Sequence, residues 1–229
     1  MFLLPLHILA GLIALAAGAL AMATAKGSTL HRGSGRCFVV AMLTMTTSAI
    51  IMAEFFRPNR VNVMAGVLTF YLVATAVLAV RRSVEQSFGL LAASMLLALA
   101  TGAYAFALAA EAMGGGHHGI DGIPPQPLIM FGTIGLLGGL LDARLLWARS
   151  IAGVHRLARH LWRMELAMFV AAASLFLGQA RHFPEPLRRS GLLTVPVVLV
   201  LLHLVYWLAR LLIKRRNMIG SGAIGTGNS

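Results

Sequence analysis

The stretch HLWRMELAMF, His160 to Phe169, decides how the chain is read. It sets a carboxylate, Glu165, inside a run that stays largely apolar to Leu177, just after Arg159, His160 and Arg163. On a soluble helix such a residue is ordinary surface. Inside a bilayer an ionisable side chain is costly and calls for a partner or a function. The solvent therefore has to be settled first.

Of the 229 residues, 59% are hydrophobic and only 11% charged, and mean hydropathy is +0.83. That balance places the chain in the membrane class. The 19 Lys and Arg against 7 Asp and Glu could point to nucleic acid. The cations instead lie between apolar runs, with no basic surface interleaved with aromatics, so a nucleic-acid partner is excluded and the bilayer is the expected one. The single cysteine, Cys37, excludes an intramolecular disulfide, and no CxxC pattern is present.

Seven runs have the length a bilayer demands: Leu3–Ala23, Phe38–Phe55, Val61–Val80, Phe88–Ala110, Pro127–Leu146, Leu161–Leu177 and Leu192–Ile213. The sixth is short and extends to His160 at one end or Gly178 at the other. Each must be a helix, because lipid offers the backbone no hydrogen bonds. The expected fold is an all-α, polytopic bundle of seven transmembrane helices, one domain over residues 1–217, with 218–229 as a flexible cytoplasmic tail. The first run does not read as a cleaved secretory signal, because its first cations follow the apolar stretch.

Orientation follows from the cations. With the N-terminus outside, 14 of the 19 fall in cytoplasmic segments, among them Lys26, Arg32, Arg36, Arg81, Arg156 and Lys214. Trp147, Trp162 and Trp207 then lie toward the cytoplasmic interface. The expectation is N-out, C-in, in a bacterial inner membrane.

Several motifs carry little. GSGAIG, Gly220 to Gly225, matches a dinucleotide fingerprint, but no strand precedes it. The loop GGGHHGIDGIPPQP offers His117, His118 and Asp121 as metal ligands, against the cost of ordering a glycine-rich segment. P-loop, HExxH and GxSxG signatures are absent, so no catalytic residue is assigned.

Helical spacing says more. Leu128, Gly132, Gly135, Gly139 and Asp142 form one stripe, small along its length and acidic at one end; small stripes let helices approach closely in lipid. Gly138 lies off that line. His7, Gly11, Ala14 and Gly18 form a similar stripe. The seventh run carries Pro196, His203, Tyr206, Trp207 and Arg210 on one side. Counted from the start of the sixth run, Glu165 is roughly 7 Å deep, between Arg210 and Tyr206. Two readings stay open. One is a structural contact of Glu165 with Arg210 or Arg163 that fixes helix register. The other is a proton- or ligand-handling cluster of Glu165, His203, Tyr206 and Arg210, with Asp142 nearby in the same leaflet.

Four stretches carry a resemblance: HILAGLIALAAG (7–18), KGSTLHRGSGR (26–36), RHLWRMELAMFVAAASLFLGQ (159–179) and FPEPLRRSGLLTVP (183–196). Together they resemble an uncharacterised family of bacterial multi-pass predicted membrane proteins. The resemblance implies a helical inner-membrane protein and supplies no reaction. H-x-x-x-G followed by H-R-x-x-G is also similar to b-type cytochrome sequences. A bis-histidine haem needs imidazoles at comparable depth on facing elements. His7 and His203 differ by roughly 10 Å of helix rise, whereas His31 and His160 both lie at the cytoplasmic edge.

The first functional expectation is a non-enzymatic protein that moves or senses a small solute or proton through the inner-leaflet polar cluster, with no cofactor. The alternatives are a b-type haem redox protein using His31 and His160, and an assembly or scaffold subunit.

Overall fold

The structure, a computed structural model, describes residues 2–114 and 119–224; the side chains of 214–224 are outside the description. Among the described residues seven helices are long and apolar enough to cross a membrane. The order is α1 (Leu3–Ala23), α2 (Thr29–Ile51), α3 (Arg60–Arg81), α4 (Phe88–Gly114), α5 (Pro125–Ala148), α6 (Gly153–Ala173), a short α7 (Glu185–Arg189) and α8 (Val195–Ile224). The fold class is all-α and polytopic, as composition and run length require.

Several boundaries differ from the apolar runs. α2 begins at Thr29, not Phe38, because Gly27 adopts φ +82 and Ser28 then caps the helix, accepting from His31 N at 3.1 Å. α6 begins at Gly153, well before Leu161. α8 stays helical to Ile224, past Met218. In each case the helix extends beyond its apolar core into a basic segment. Hydrophobicity marks where lipid is, and helical hydrogen bonding does not stop there.

Successive spans alternate in direction. The α1–α2, α3–α4 and α5–α6 connections therefore share one end of the bundle with the C-terminal part of α8. This end, which carries Lys26, Arg32, Arg81 and Arg156, is called the basic end below.

α3 and α6 pack together at the centre, flanked by the α1–α2 and α4–α5 pairs, with α8 against α6. Apolar residues of α1 and α8, such as Ile8, Leu12, Leu199 and Leu202, are exposed and form lipid-facing surface. The α4–α5 pair is the closest approach. A Cβ on Gly135 would lie 2.8 Å from Gly102 Cα, and one on Gly102 would lie 2.7 Å from Leu136 N. No side chain fits between these backbones, which is the purpose of small residues at a lipid-phase interface. Gly132, Gly135, Gly139 and Asp142 are buried on this helix, as their spacing predicts. Gly138 is a correction. It is buried too, and its Cβ would lie 2.8 Å from the Tyr71 hydroxyl. α5 packs against α3 as well as α4, so its buried face is wider than one stripe.

Candidate functional site

Two polar centres form at the basic half of the bundle, and α6 contributes to both. The first faces α3 and α5. Arg156, Arg159, His160 and Arg163 recur at steps of three and four, so one side of α6 is basic. Arg156 donates to the carbonyls of Ala79 (2.6 Å) and Val80 (2.5 Å), among the last of α3. Such carbonyls lack full intrahelical partners, and a cation near them also meets the negative end of the helix dipole. Arg159 and Arg163 both donate to Asp142 Oδ1, the second at 2.5 Å. Tyr71 donates its hydroxyl to Asp142 Oδ2 at 2.7 Å, and Arg163 also donates to Thr75. The Arg163 guanidinium lies 4.9 Å from the ring centroids of both Tyr71 and Trp162. Asp142 and Arg163 are fully buried and Arg159 nearly so. One carboxylate thus holds two guanidiniums, and it ties α5 to α6 and α3.

The second centre faces α1 and α8. Glu165 is buried, 5% exposed, so it faces protein. Its Oε1 lies 2.8 Å from His203 Nδ1, while Oε2 has no hydrogen-bond partner among the described residues. Lys26 Nζ sits 3.4 Å from His203 Nε2 and donates to the carbonyls of Ala21 (3.3 Å) and Met22 (3.0 Å) at the end of α1. The same ammonium is 5.1 Å from the Trp207 ring centroid. Burial pushes the Lys26 ammonium below the ordinary lysine range, and the Glu165 charge opposes that shift.

The expected partners of Glu165 are therefore corrected. Arg210 is exposed, donates to the Tyr206 hydroxyl at 3.4 Å and stacks 4.9 Å from Trp207. Tyr206 is also exposed and meets Trp207 edge-on. Neither belongs with Glu165 and His203. The error lies in the depth count: α6 starts at Gly153, so Glu165 reaches a level one turn deeper on α8, that of His203. Arg163 is two residues from Glu165 and points to the other side of the helix. Asp142 belongs to the first centre, not to this one. Gln179 shares a heptad step with Glu165 yet is exposed, because the wide π turn Ser174–Gly178 shifts the helical phase before it.

The second centre forms part of the wall of a cavity of about 590 Å³ between α1, α2, α3, α6 and α8. That size is within the range of small-molecule sites. Its apolar wall includes Phe38, Val39, Val77, Leu161, Met164 and Met168. Among the described residues its charged lining is four cations, Lys26, Arg32, Arg36 and Arg81, against one carboxylate, Glu165. The three arginines are exposed, so the cationic part is the rim.

His31 and His160 line the same cavity. His31 Nδ1 is 3.0 Å from Ala21 O, and His160 Nδ1 is 3.0 Å from Ala76 O. The Ser28 cap places His31 in the first turn of α2, where its ring folds back onto the end of α1. Since a carbonyl only accepts, each Nδ1 carries a proton, and in the neutral form of each ring Nε2 is the acceptor nitrogen.

The other proposed ligand group lies largely outside the described residues. His117 and His118 lie outside them. Asp121, at φ 52, accepts from Val61 N at 3.3 Å and so satisfies a free donor at the start of α3. Among the described residues no group of three or more His, Cys, Asp or Glu could hold a metal. His7, expected to face the bundle, does so through Nδ1, 3.0 Å from Met45 O.

Sequence reading missed the Asp142 centre as a unit. Arg156, Arg159 and Arg163 count there as topology signals. Their helical spacing, matched by Tyr71 and Thr75 one turn apart on α3, was the available sign of a buried face. The cavity had no linear sign, because five helices build it.

No curated protein and no solved structure matches the chain. Residues 4–114, which span α1 to α4 and include Lys26, His31 and Tyr71, match the model of a family described as Predicted membrane protein (DUF2306), and the whole chain has the build of a polytopic membrane protein.

Proposed function

We propose that this chain is a non-enzymatic protein of a bacterial inner membrane that binds a small anionic amphiphile in the cavity at its basic end, and so carries or senses it. One observation carries the reading: an apolar cavity whose lining, among the described residues, holds four cations and a single carboxylate. The apolar wall takes a hydrophobic body. The rim arginines meet an acidic head by charge-assisted hydrogen bonds. Glu165 Oε2, buried and without a partner among the described residues, accepts a donor from the ligand or takes up a proton when the ligand changes charge. N-out, C-in topology would set the rim against the cytoplasmic leaflet.

The Asp142 centre supports a different role. All its contacts join α3, α5 and α6, and it holds the cavity walls in register.

The test is binding of cis-parinaric acid, a fluorescent fatty acid, and its methyl ester to the full chain in nanodiscs. The acid binds saturably and the ester about tenfold more weakly. Arg36→Gln and Arg81→Gln each weaken the acid by up to about fivefold, as exposed charge contacts do. Equal binding of acid and ester, or no saturable component, overturns the proposal.

A further inference from the structure

The two histidines in the cavity are not needed to hold a simple amphiphile. We infer that the cavity is a haem site in which His31 and His160 are the axial ligands, a reading that rests on the ligand cavity proposed above and names its occupant.

Three features carry this. First, both imidazoles line one cavity from different helices, His31 on α2 and His160 on α6. Second, each ring is fixed in the same way, by Nδ1–H donating to a helix carbonyl at 3.0 Å. Histidines that bind metal almost always donate their other ring proton to a carbonyl or carboxylate, which fixes the tautomer and directs Nε2 to the metal. No other hydrogen bond is made by either ring among the described residues. Third, the rest of the lining suits a porphyrin. Phe38, Val39, Val77, Leu161 and Met164 offer an apolar slot, and Arg32, Arg36 and Arg81 at the rim suit two propionate carboxylates. A fatty acid would use the rim and the slot but leave both Nε2 atoms unemployed.

Bound haem would supply one-electron chemistry between its ferric and ferrous states. The chain's part is to hold the iron low-spin through two nitrogens, to anchor the propionates, and to place Glu165 in the same wall.

The experiment titrates the full chain in nanodiscs with haemin and, separately, with metal-free protoporphyrin IX. Haemin gives a sharp, red-shifted Soret band and resolved α and β bands on reduction. His31→Gln and His160→Gln, which keep a donor for the Ala21 and Ala76 carbonyls, each weaken haemin by about tenfold or more and lose the low-spin spectrum. The same variants bind protoporphyrin IX as the parent does, which shows that the cavity is still folded. Haemin binding that is insensitive to both substitutions overturns the axial assignment. Binding of cis-parinaric acid without any porphyrin binding overturns the haem inference and leaves the amphiphile reading standing. Binding of none of the three ligands overturns both.

Discussion

Asp142→Asn is the substitution with the largest expected effect on stability. The side chains are nearly isosteric, so the change is in charge. Asp142 is fully buried and, among the described residues, is the sole acid paired with the two buried guanidiniums Arg159 and Arg163. Breaking a buried ion pair by removing one partner costs about 3–5 kcal/mol, because a charge is left unpaired in low dielectric. For a chain of this size each kcal/mol shifts Tm by about 2–4 °C, so Asp142→Asn lowers it by roughly 6–20 °C. Arg159→Met should cost far less, about 1–2 kcal/mol. It leaves a one-to-one pair of Asp142 with Arg163, and it removes Nε and Nη2 of Arg159, which are buried without partners among the described residues. Adding Arg159→Met to Asp142→Asn should then recover part of the loss, with a coupling of about 0.5–3 kcal/mol. Thermal unfolding of the full chain in one detergent gives all three numbers. Asp142→Asn within about 0.5 kcal/mol of the parent, or strict additivity of the two substitutions, would refute the reasoning.

Gly135→Ala forces apart the α4 and α5 backbones and should cost about 1–3 kcal/mol, whereas Gly139→Ala meets the flexible Leu99 side chain and costs less; equal losses in thermal unfolding would remove the assigned contact. Glu165→Gln and His203→Leu should couple by about 0.5–3 kcal/mol in a double-mutant cycle, while Arg210→Leu stays within about 0.5 kcal/mol of the parent and uncoupled to Glu165; coupling to Arg210 instead would refute the pairing of Glu165 with His203. N-out, C-in topology requires a periplasmic-type reporter to be active when fused after Met113 and a cytoplasmic-type reporter to be active after Ile219, and the opposite pattern overturns the orientation.

The spans were legible because apolar length is a one-dimensional property. The α5 glycine stripe was legible for a similar reason: Gly132, Gly135 and Gly139 share a face at any register. Partner choice was not. Whether Glu165 meets His203 or Arg210 turns on where α6 begins, and the basic segment 153–160 is helical without being apolar. That His31 and His160 lie at one end of the bundle was legible from their places in the runs. Their shared cavity was not visible, since it depends on a glycine–serine turn at residues 27–28 that turns α2 back beside α1. The shared place of Arg32, Arg36 and Arg81 on one rim was not legible either, because each serves equally as a topology marker.

Photolabelling with a diazirine fatty acid, with and without excess unlabelled acid, tests most directly whether the basic-end cavity is the ligand site. Competed label is predicted in the α1–α2 segment around Gly18–Val39, at Val77–Arg81 and at Leu157–Met168. It should fall when Arg36 and Arg81 are both replaced by Gln. Competed label confined to the lipid-facing sides of α4 and α5, or label that excess acid does not displace anywhere, would contradict the proposed function.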